Sequence, residues 1–541
     1  MLKLLVYFQL TLIVFGRKDW SVEKESSFWN ENAANAIDKS LQRKINTRQA
    51  KNVIMFLGDG MGVSTITAGR IRKGQMLGEL GEDFLTEMEQ FSHLGLAKTY
   101  NIDHQTPDSA ATATAYLCGV KAQLGTIGVD GRARRANCPS SIGTQVDSVL
   151  EWALKQDKKV GIITTATITH ASPAAAYAHT PERNWECYDN KYFNKSHFDA
   201  GCVDIAYQLA SRSEPIHLLL GGGRKYFFPN DTTDVEYNTS NSRVDGLNLV
   251  DMWYNKTLAK GSRRSTFVWN STELNKIDKK ATDYIFGLFE PEHMLYETRR
   301  NEMNADKPSL TEMTKFAIEY LHERSQGNGF FLFVEGGRID HGHHETLPRL
   351  ALDEYVEFDN AIGQAKKTLT NLNVFDDTLQ VITADHSHVF TMGAYSSRGS
   401  NILGFGSLEN ANVSNVDSLP INIIAYGNGP NFNSFRNTSL NSLNTNATSY
   451  RAPAALPLRM ETHGGEDVAV FAHGPWSHLL IGTIEQNVIP HVMAYSACWG
   501  KYANREGCEA AKSISTIHRH INIVYSLVLL LGVHSAVKII Q

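Results

Sequence analysis

Cysteine is scarce in this chain, six among 541 residues, too few for a disulfide scaffold to replace a core but enough for clips. An excess of either charge is also missing: 52 Lys+Arg stand against 57 Asp+Glu, a net charge of −5. That balance excludes a nucleic-acid coat, and no nucleic-acid partner is expected. With 42% hydrophobic and only 20% charged residues, the chain is too apolar to be disordered. No internal repeat is evident. The length allows three or so domains of roughly 100–200 residues, but large α/β enzymes reach it around one core. One core with insertions is therefore expected.

Both ends carry address labels. Met1-Leu2-Lys3 and the apolar stretch Leu4 to Phe15 read as a secretory signal peptide over 1–16. A first buried strand or helix is the alternative, and the polar run Arg17 to Lys24 argues against it. Ile521 to Ile540 is mostly apolar and follows small residues (Ala510, Ala511, Ser513, Ser515) and a polar spacer. That is the layout of a glycosylphosphatidylinositol (GPI) attachment signal over 509–541, with the tail removed. A membrane-spanning tail is the alternative, although His534 and Lys538 suit a bilayer core poorly. Either reading puts the protein on the extracellular face of the cell membrane. Asn-x-Ser/Thr triplets at Asn194, Asn230, Asn238, Asn255, Asn270, Asn412, Asn437 and Asn446 agree, as glycosylation acceptors on exposed stretches.

Along the chain, short continuous apolar runs end in Gly and then an acid or His. Asn52 to Leu57 precedes Gly58-Asp59-Gly60; Val160 to Thr165 precedes His170-Ala171-Ser172; Phe330 to Val334 precedes Glu335-Gly336-Gly337; Thr378 to Thr383 precedes Ala384-Asp385-His386. Runs without alternation predict strands buried on both faces. Helical patterns lie between them, as over Ile142 to Lys155, Ala110 to Val120 and Thr311 to Arg324. The fold class expected is α/β, a three-layer α/β/α sandwich around a large, mainly parallel sheet whose strand ends collect ligands. Core segments 17–393 and 461–508 flank a surface excursion over 394–460, and 225–306 reads as an inserted lobe.

Asp340-His341-Gly342-His343-His344-Glu345 concentrates carboxylate and imidazole, the ligands Zn²⁺ takes. On a helix, Asp340 and His344 share a face. Asp385-His386-Ser387-His388 offers a second cluster. Ser109, after Asp108 and at a helix start, is either an ordinary cap or, beside a cation, an activated nucleophile. Arg183 is either a surface residue or a two-pronged phosphate clamp.

Together these stretches, with Ala113 to Lys121 and Glu461-Thr462-His463, resemble in order and spacing the alkaline phosphatases of the animal type, from about Phe28 to Cys508. The resemblance implies hydrolysis of small phosphate monoesters at alkaline pH, in two in-line steps through a phosphoserine at Ser109. It implies two Zn²⁺ and one Mg²⁺. Asp340, His344 and His463 would hold one Zn²⁺; Asp59, Asp385, His386 and Ser109 the second; Asp59, Ser172 and Glu335 the Mg²⁺. His170, His341 and His388 would stand beside the metals, and Arg183 would clamp phosphate. Tyr395 would reach towards the other subunit of a homodimer, from a crown-like excursion. A Ca²⁺ in the inserted lobe would map to Glu236, the Phe289 carbonyl, Glu290 and Asp306, where an extra residue disturbs the pattern; a lobe without an ion is the alternative. Cys138 would pair with Cys202 and Cys498 with Cys508, leaving Cys118 free, while Cys187 is either free or competes for Cys138. A phosphodiesterase or sulfatase of the same superfamily and a catalytically dead surface protein are the rival readings, and no ligand of the pattern is missing.

Overall fold

The computed structural model describes residues 21–508 apart from 263, 410 and 433–441. The expected signal peptide, the GPI signal and Asn437 therefore lie outside the described residues. Ten strands form the central sheet: β1 (Asn52–Gly58), β2 (His93–Lys98), β3 (Lys159–Thr167), β4 (Leu218–Gly222), β5 (Ser265–Val268), β6 (Tyr284–Leu288), β7 (Phe330–Gly336), β8 (Thr378–Thr383), β9 (Val468–His473) and β10 (Gly482–Glu485), in spatial order β10-β2-β9-β8-β1-β7-β3-β4-β6-β5. Every pairing is parallel except those of β9 with β2 and β8, so one strand of the ten runs against the rest. β1, β7 and β8 are buried at every position, as their unbroken apolar runs require for strands covered on both faces.

Helices α2 (Val63–Met76), α5 (Leu310–Ser325) and α7 (Pro348–Asn371) pack together as one covering layer; α4 (Val149–Leu154) and α8 (Val488–Ala497) belong to the other. Helix α5 starts at a capping box in which Ser309 Oγ accepts from Glu312 N–H and the Glu312 carboxylate from Ser309 N–H. Its Met313, Phe316, Ala317, Tyr320 and Leu321 are all buried, the face that the 3.6-residue period predicts. Helix α1 (Ser26–Leu41) has no buried residue.

Three expectations change. The helix expected from Ile142 begins only at Val149, where Ser148 Oγ caps Glu151 N–H at 3.2 Å; Ile142 is exposed. The helix after Ser109 is α3 (Ser109–Ala113), which widens into a π turn over Thr114–Cys118 and stops at Gly119, φ +78°. The segment 225–306 is not simply inserted beside the sheet, because its strands β5 and β6 form the sheet's edge. By contrast, 394–460 does lie outside the ten strands. Ile402, Leu403, Ile423, Ile424 and Tyr426 form a second small core there against Ala68, Ile71 and Leu352.

In spatial order β8, β1, β7 and β3 are neighbours, with Leu57 opposite both Glu335 and Thr383, and Thr164 opposite Glu335. The segments bearing Asp385, Asp59, Glu335 and Ser172 thus leave the carboxyl ends of four adjacent parallel strands, where the fold leaves a crevice.

Candidate active site

Ser109 opens α3. Asp108, with extended backbone, caps that helix: its Oδ1 accepts from Ala111 N–H at 3.3 Å, Gly125 N–H at 3.0 Å and Asn101 Nδ2 at 3.3 Å. Capping thus falls to Asp108, and the Ser109 hydroxyl faces inward, 3.1 Å from His386 Nε2. The second Asp108 oxygen accepts from Arg183 Nη1 at 3.1 Å, while Arg183 Nη2 lies 3.4 Å from His170 Nε2. The Arg183 fork is therefore held between His170 and Asp108, the residue before Ser109, and is not a free surface group.

Helix α6 (Arg338–His344) sets the first donor group. Asp340 and His344 share its face, with Asp340 Oδ1 3.3 Å from His344 Nε2. His463 Nε2 lies 3.5 Å from the same oxygen and 3.2 Å from His344 Nε2. Tetrahedral Zn²⁺ with bonds of about 2.0–2.1 Å needs donors about 3.3–3.4 Å apart, and this trio has that spacing. A second group is fixed by the backbone after β8: Asp385 Oδ1 accepts from Gly60 N–H at 3.0 Å and His386 N–H at 2.9 Å, which leaves Asp385 Oδ2 3.0 Å from His386 Nε2. Asp59 Oδ1 lies 3.7 Å from that same nitrogen. At the third, Ser172 Oγ, Glu335 Oε1 and both Asp59 oxygens are buried with no hydrogen-bond partner. Unpartnered buried oxygens are costly, and an oxygen-only set of this kind suits a hard cation such as Mg²⁺.

The electrostatics favour cations as strongly as the spacing. Burial first, then the nearby Asp385, Asp340 and Glu335, push Asp59 well above the usual carboxylate range. Burial pushes Glu335 up to about 8. Burial also works against ionised Asp340 and Asp385, yet His344 and His388 hold Asp340 well below its ordinary value and His386 does the same for Asp385. Four carboxylates buried together cannot all stay charged without positive charge among them. Burial lowers His463 to about 4 and His170 to about 3, which keeps both imidazoles in the neutral form that ligates metal.

The family model for alkaline phosphatase matches residues 50–499. The chain belongs to the alkaline phosphatase family. It is accordingly a phosphomonoester hydrolase. It is 49% identical over 498 residues to the tissue-nonspecific alkaline phosphatase of Felis catus, covering 91% of this chain and 92% of that protein. It is 46% identical over 486 residues to an alkaline phosphatase of Gadus morhua, covering 88% and 98%. Solved alkaline phosphatases from the Antarctic bacterium TAB5 and from Thermus thermophilus share its fold, with TM-scores of 0.56 and 0.58 at 22% and 21% identity, over 84% of this chain and 100% and 92% of theirs.

The alkaline phosphatase motifs contain residues that do not join the site, and the site contains residues outside the motifs. His343 turns away to Thr65 Oγ1 and Tyr426 OH, each at 3.0 Å. Glu461 gains a role that spacing does not reveal: its carboxylate meets His388 Nδ1 at 2.5 Å and its carbonyl lies 2.6 Å from His344 Nδ1. His388, whose Nε2 is 2.8 Å from Asp340 Oδ1, sits between two carboxylates; burial opposes its protonation, but they raise it to about 10. The His293 ring lies tilted against His341 at 4.3 Å and edge-on to His170 at 5.5 Å between ring centroids. Tyr395 is 80% exposed and is not among the side chains gathered around Ser109.

Of the expected calcium ligands, Asp306 is misplaced. Its Oδ1 accepts from Thr272 N–H at 3.1 Å on the exposed side, and no candidate metal group among the described residues contains Glu236, Glu290 or Asp306. The Cys138–Cys202 and Cys498–Cys508 disulfides form, and Cys118 and Cys187 are both free and buried. Asn230, Asn238, Asn255, Asn412 and Asn446 are exposed, while Asn194 and Asn270 are half-buried helix caps. Among the described residues no helix is long and apolar enough to cross a membrane.

Proposed function

We propose that the chain hydrolyses phosphate monoesters through a phosphoserine at Ser109. The observation that carries this is the buried Ser109 hydroxyl 3.1 Å from His386 Nε2, a nitrogen that also lies 3.0 Å from Asp385 Oδ2 and 3.7 Å from Asp59 Oδ1, with Asp59 left unpartnered on both oxygens. Asp340, His344 and His463 would hold one Zn²⁺; Asp59, Asp385, His386 and Ser109 a second; Asp59, Ser172 and Glu335 a Mg²⁺. When bound, these ions supply Lewis-acid charge that lowers the pKa of a serine hydroxyl and offsets the charge on phosphoryl oxygens.

The Ser109 oxygen attacks phosphorus in line, the phosphorus–ester oxygen bond breaks, and the alcohol leaves. Water then attacks the phosphoserine from the other side, returning Ser109 and releasing inorganic phosphate; two inversions give net retention. Arg183 grips two phosphoryl oxygens with its fork, and Asp108 fixes the direction of that fork. His170 and His341 line the same wall as neutral imidazoles, and Glu461 orients His344 and His388. A diester has one fewer free oxygen for Arg183 and brings a second bulky group.

The mature chain is further proposed to be a glycosylated, GPI-anchored homodimer on the outer face of the cell membrane. Helix α1, with Trp29, Ile37 and Leu41 exposed, gives a second copy an apolar surface to cover, and Tyr395 gives it an exposed aromatic side chain. The test is secreted protein loaded with Zn²⁺ and Mg²⁺, with and without Ser109→Ala, assayed on an aryl phosphate monoester and the matching diester. A strong monoester preference that Ser109→Ala abolishes is expected; equal rates on both esters, or an unchanged variant, would refute the reading.

A further inference from the structure

The structure assigns the place where the family resemblance puts calcium to a cation of the chain itself, the ammonium of Lys307. Ca²⁺ takes about six to eight oxygen ligands at about 2.3–2.6 Å, with carboxylates to balance its charge. Asn304 adopts φ +48°, and the turn it makes leaves Asp306 outside, where its carboxylate bonds the first turn of the Ser271–Asn275 helix. The next side chain goes inward. Lys307 is 6% exposed; its Nζ bonds Glu236 Oε2, donates to the Trp269 carbonyl at 3.3 Å and lies 4.0 Å from Glu290 Oε1.

A second cation reinforces it. Arg224 donates from Nη2 to the same Glu236 oxygen at 2.8 Å and grips Asp234 with Nε and Nη2 at 2.8 and 2.9 Å. The other Glu290 oxygen accepts from Tyr237 OH at 2.9 Å. Three carboxylates thus meet two fixed positive charges. A divalent ion placed between Glu236 and Glu290 would have to displace a buried ammonium and would lack its fourth ligand. The residues do not fit calcium. Lys307 instead ties the 234–237 turn, the end of β6 and the 304–307 turn together, the task a bound ion would otherwise perform. We infer that this lobe is ordered without Ca²⁺.

The full chain, saturated with Zn²⁺ and Mg²⁺, tests this by equilibrium dialysis against radiolabelled Ca²⁺ up to about 1 mM, the upper range for extracellular calcium modules, and by melting with and without Ca²⁺. No stoichiometric binding and an unchanged Tm are expected. Lys307→Met keeps the stem and removes the ammonium, and should lower Tm by about 3–5 °C, since breaking a buried pair leaves a carboxylate uncompensated. Monoesterase activity should be unchanged in both chains, so a fault in the catalytic reading would not mimic this result. One tightly bound Ca²⁺ per wild-type chain, or a Lys307→Met chain as stable as wild type, would overturn the inference. If Lys307→Met fails to fold, the wild-type binding and melting measurements decide.

Discussion

Glu354 is buried in α7, 4% exposed, where its Oε1 accepts from Glu297 N–H at 2.5 Å. Burial pushes its pKa up to about 8 from 4.5. Between those values the folded chain keeps a proton that the unfolded chain has lost, so stability falls as pH rises, by about 1.4 kcal/mol per unit, and levels off above pH 8. From pH 5 to 8 that amounts to about 4 kcal/mol. Glu354→Gln retains a carbonyl acceptor for Glu297 N–H and cannot titrate. The variant should therefore gain on wild type steadily across that window. For the roughly 480 described residues, with an unfolding entropy of about 2.1 cal/mol/K each, the gain corresponds to about 4 °C in Tm. Thermal melts of both proteins, metal-loaded, at half-unit pH steps from about 5 to 9.5 read the difference directly. Parallel Tm–pH curves would refute the argument, because Glu354 would then be no costlier to ionise in the fold than in the unfolded chain.

Arg183→Ala removes two charge-assisted hydrogen bonds to phosphate at about 1.5–3 kcal/mol each, so kcat/KM should fall by about 10²–10⁴ and inhibition by inorganic phosphate should weaken, with bound metal unchanged by elemental analysis. Asp59→Ala takes an oxygen from two donor groups at once, and elemental analysis should find both Zn²⁺ and Mg²⁺ depleted, with activity down by at least about 10²-fold; loss of one metal alone would contradict the shared ligand. Replacing Cys138 and Cys202 with Ala opens a loop closed across 64 residues, which should cost about 4 kcal/mol in a denaturant titration while leaving the rate intact.

The parts of the site that were legible in the sequence are those fixed locally. Asp59, Glu335 and Asp385 follow unbroken apolar runs, and such runs end where a parallel sheet exposes its carboxyl edge. Asp340 and His344 share a helix face through their i, i+4 spacing, which the 3.3 Å contact bears out. What was not legible depends on partners far along the chain. Neither the reversed direction of β9 nor the entry of β5 and β6 into the sheet can be read from their own residues. Glu461 becomes a positioning residue only because the 394–460 excursion returns it against His388. Lys307 is charged and reads as solvated, and only the turn at Asn304 sends it inward and Asp306 out.

The central claim is that Ser109 carries the phosphoryl group, and the direct measurement is peptide mapping by mass spectrometry of metal-loaded enzyme quenched in acid during turnover of a monoester. The account predicts phosphate on the peptide containing Ser109, absent when the enzyme is quenched without substrate and absent in Ser109→Ala. Turnover at full rate with no phosphorylated peptide, or phosphate on another residue, would contradict it.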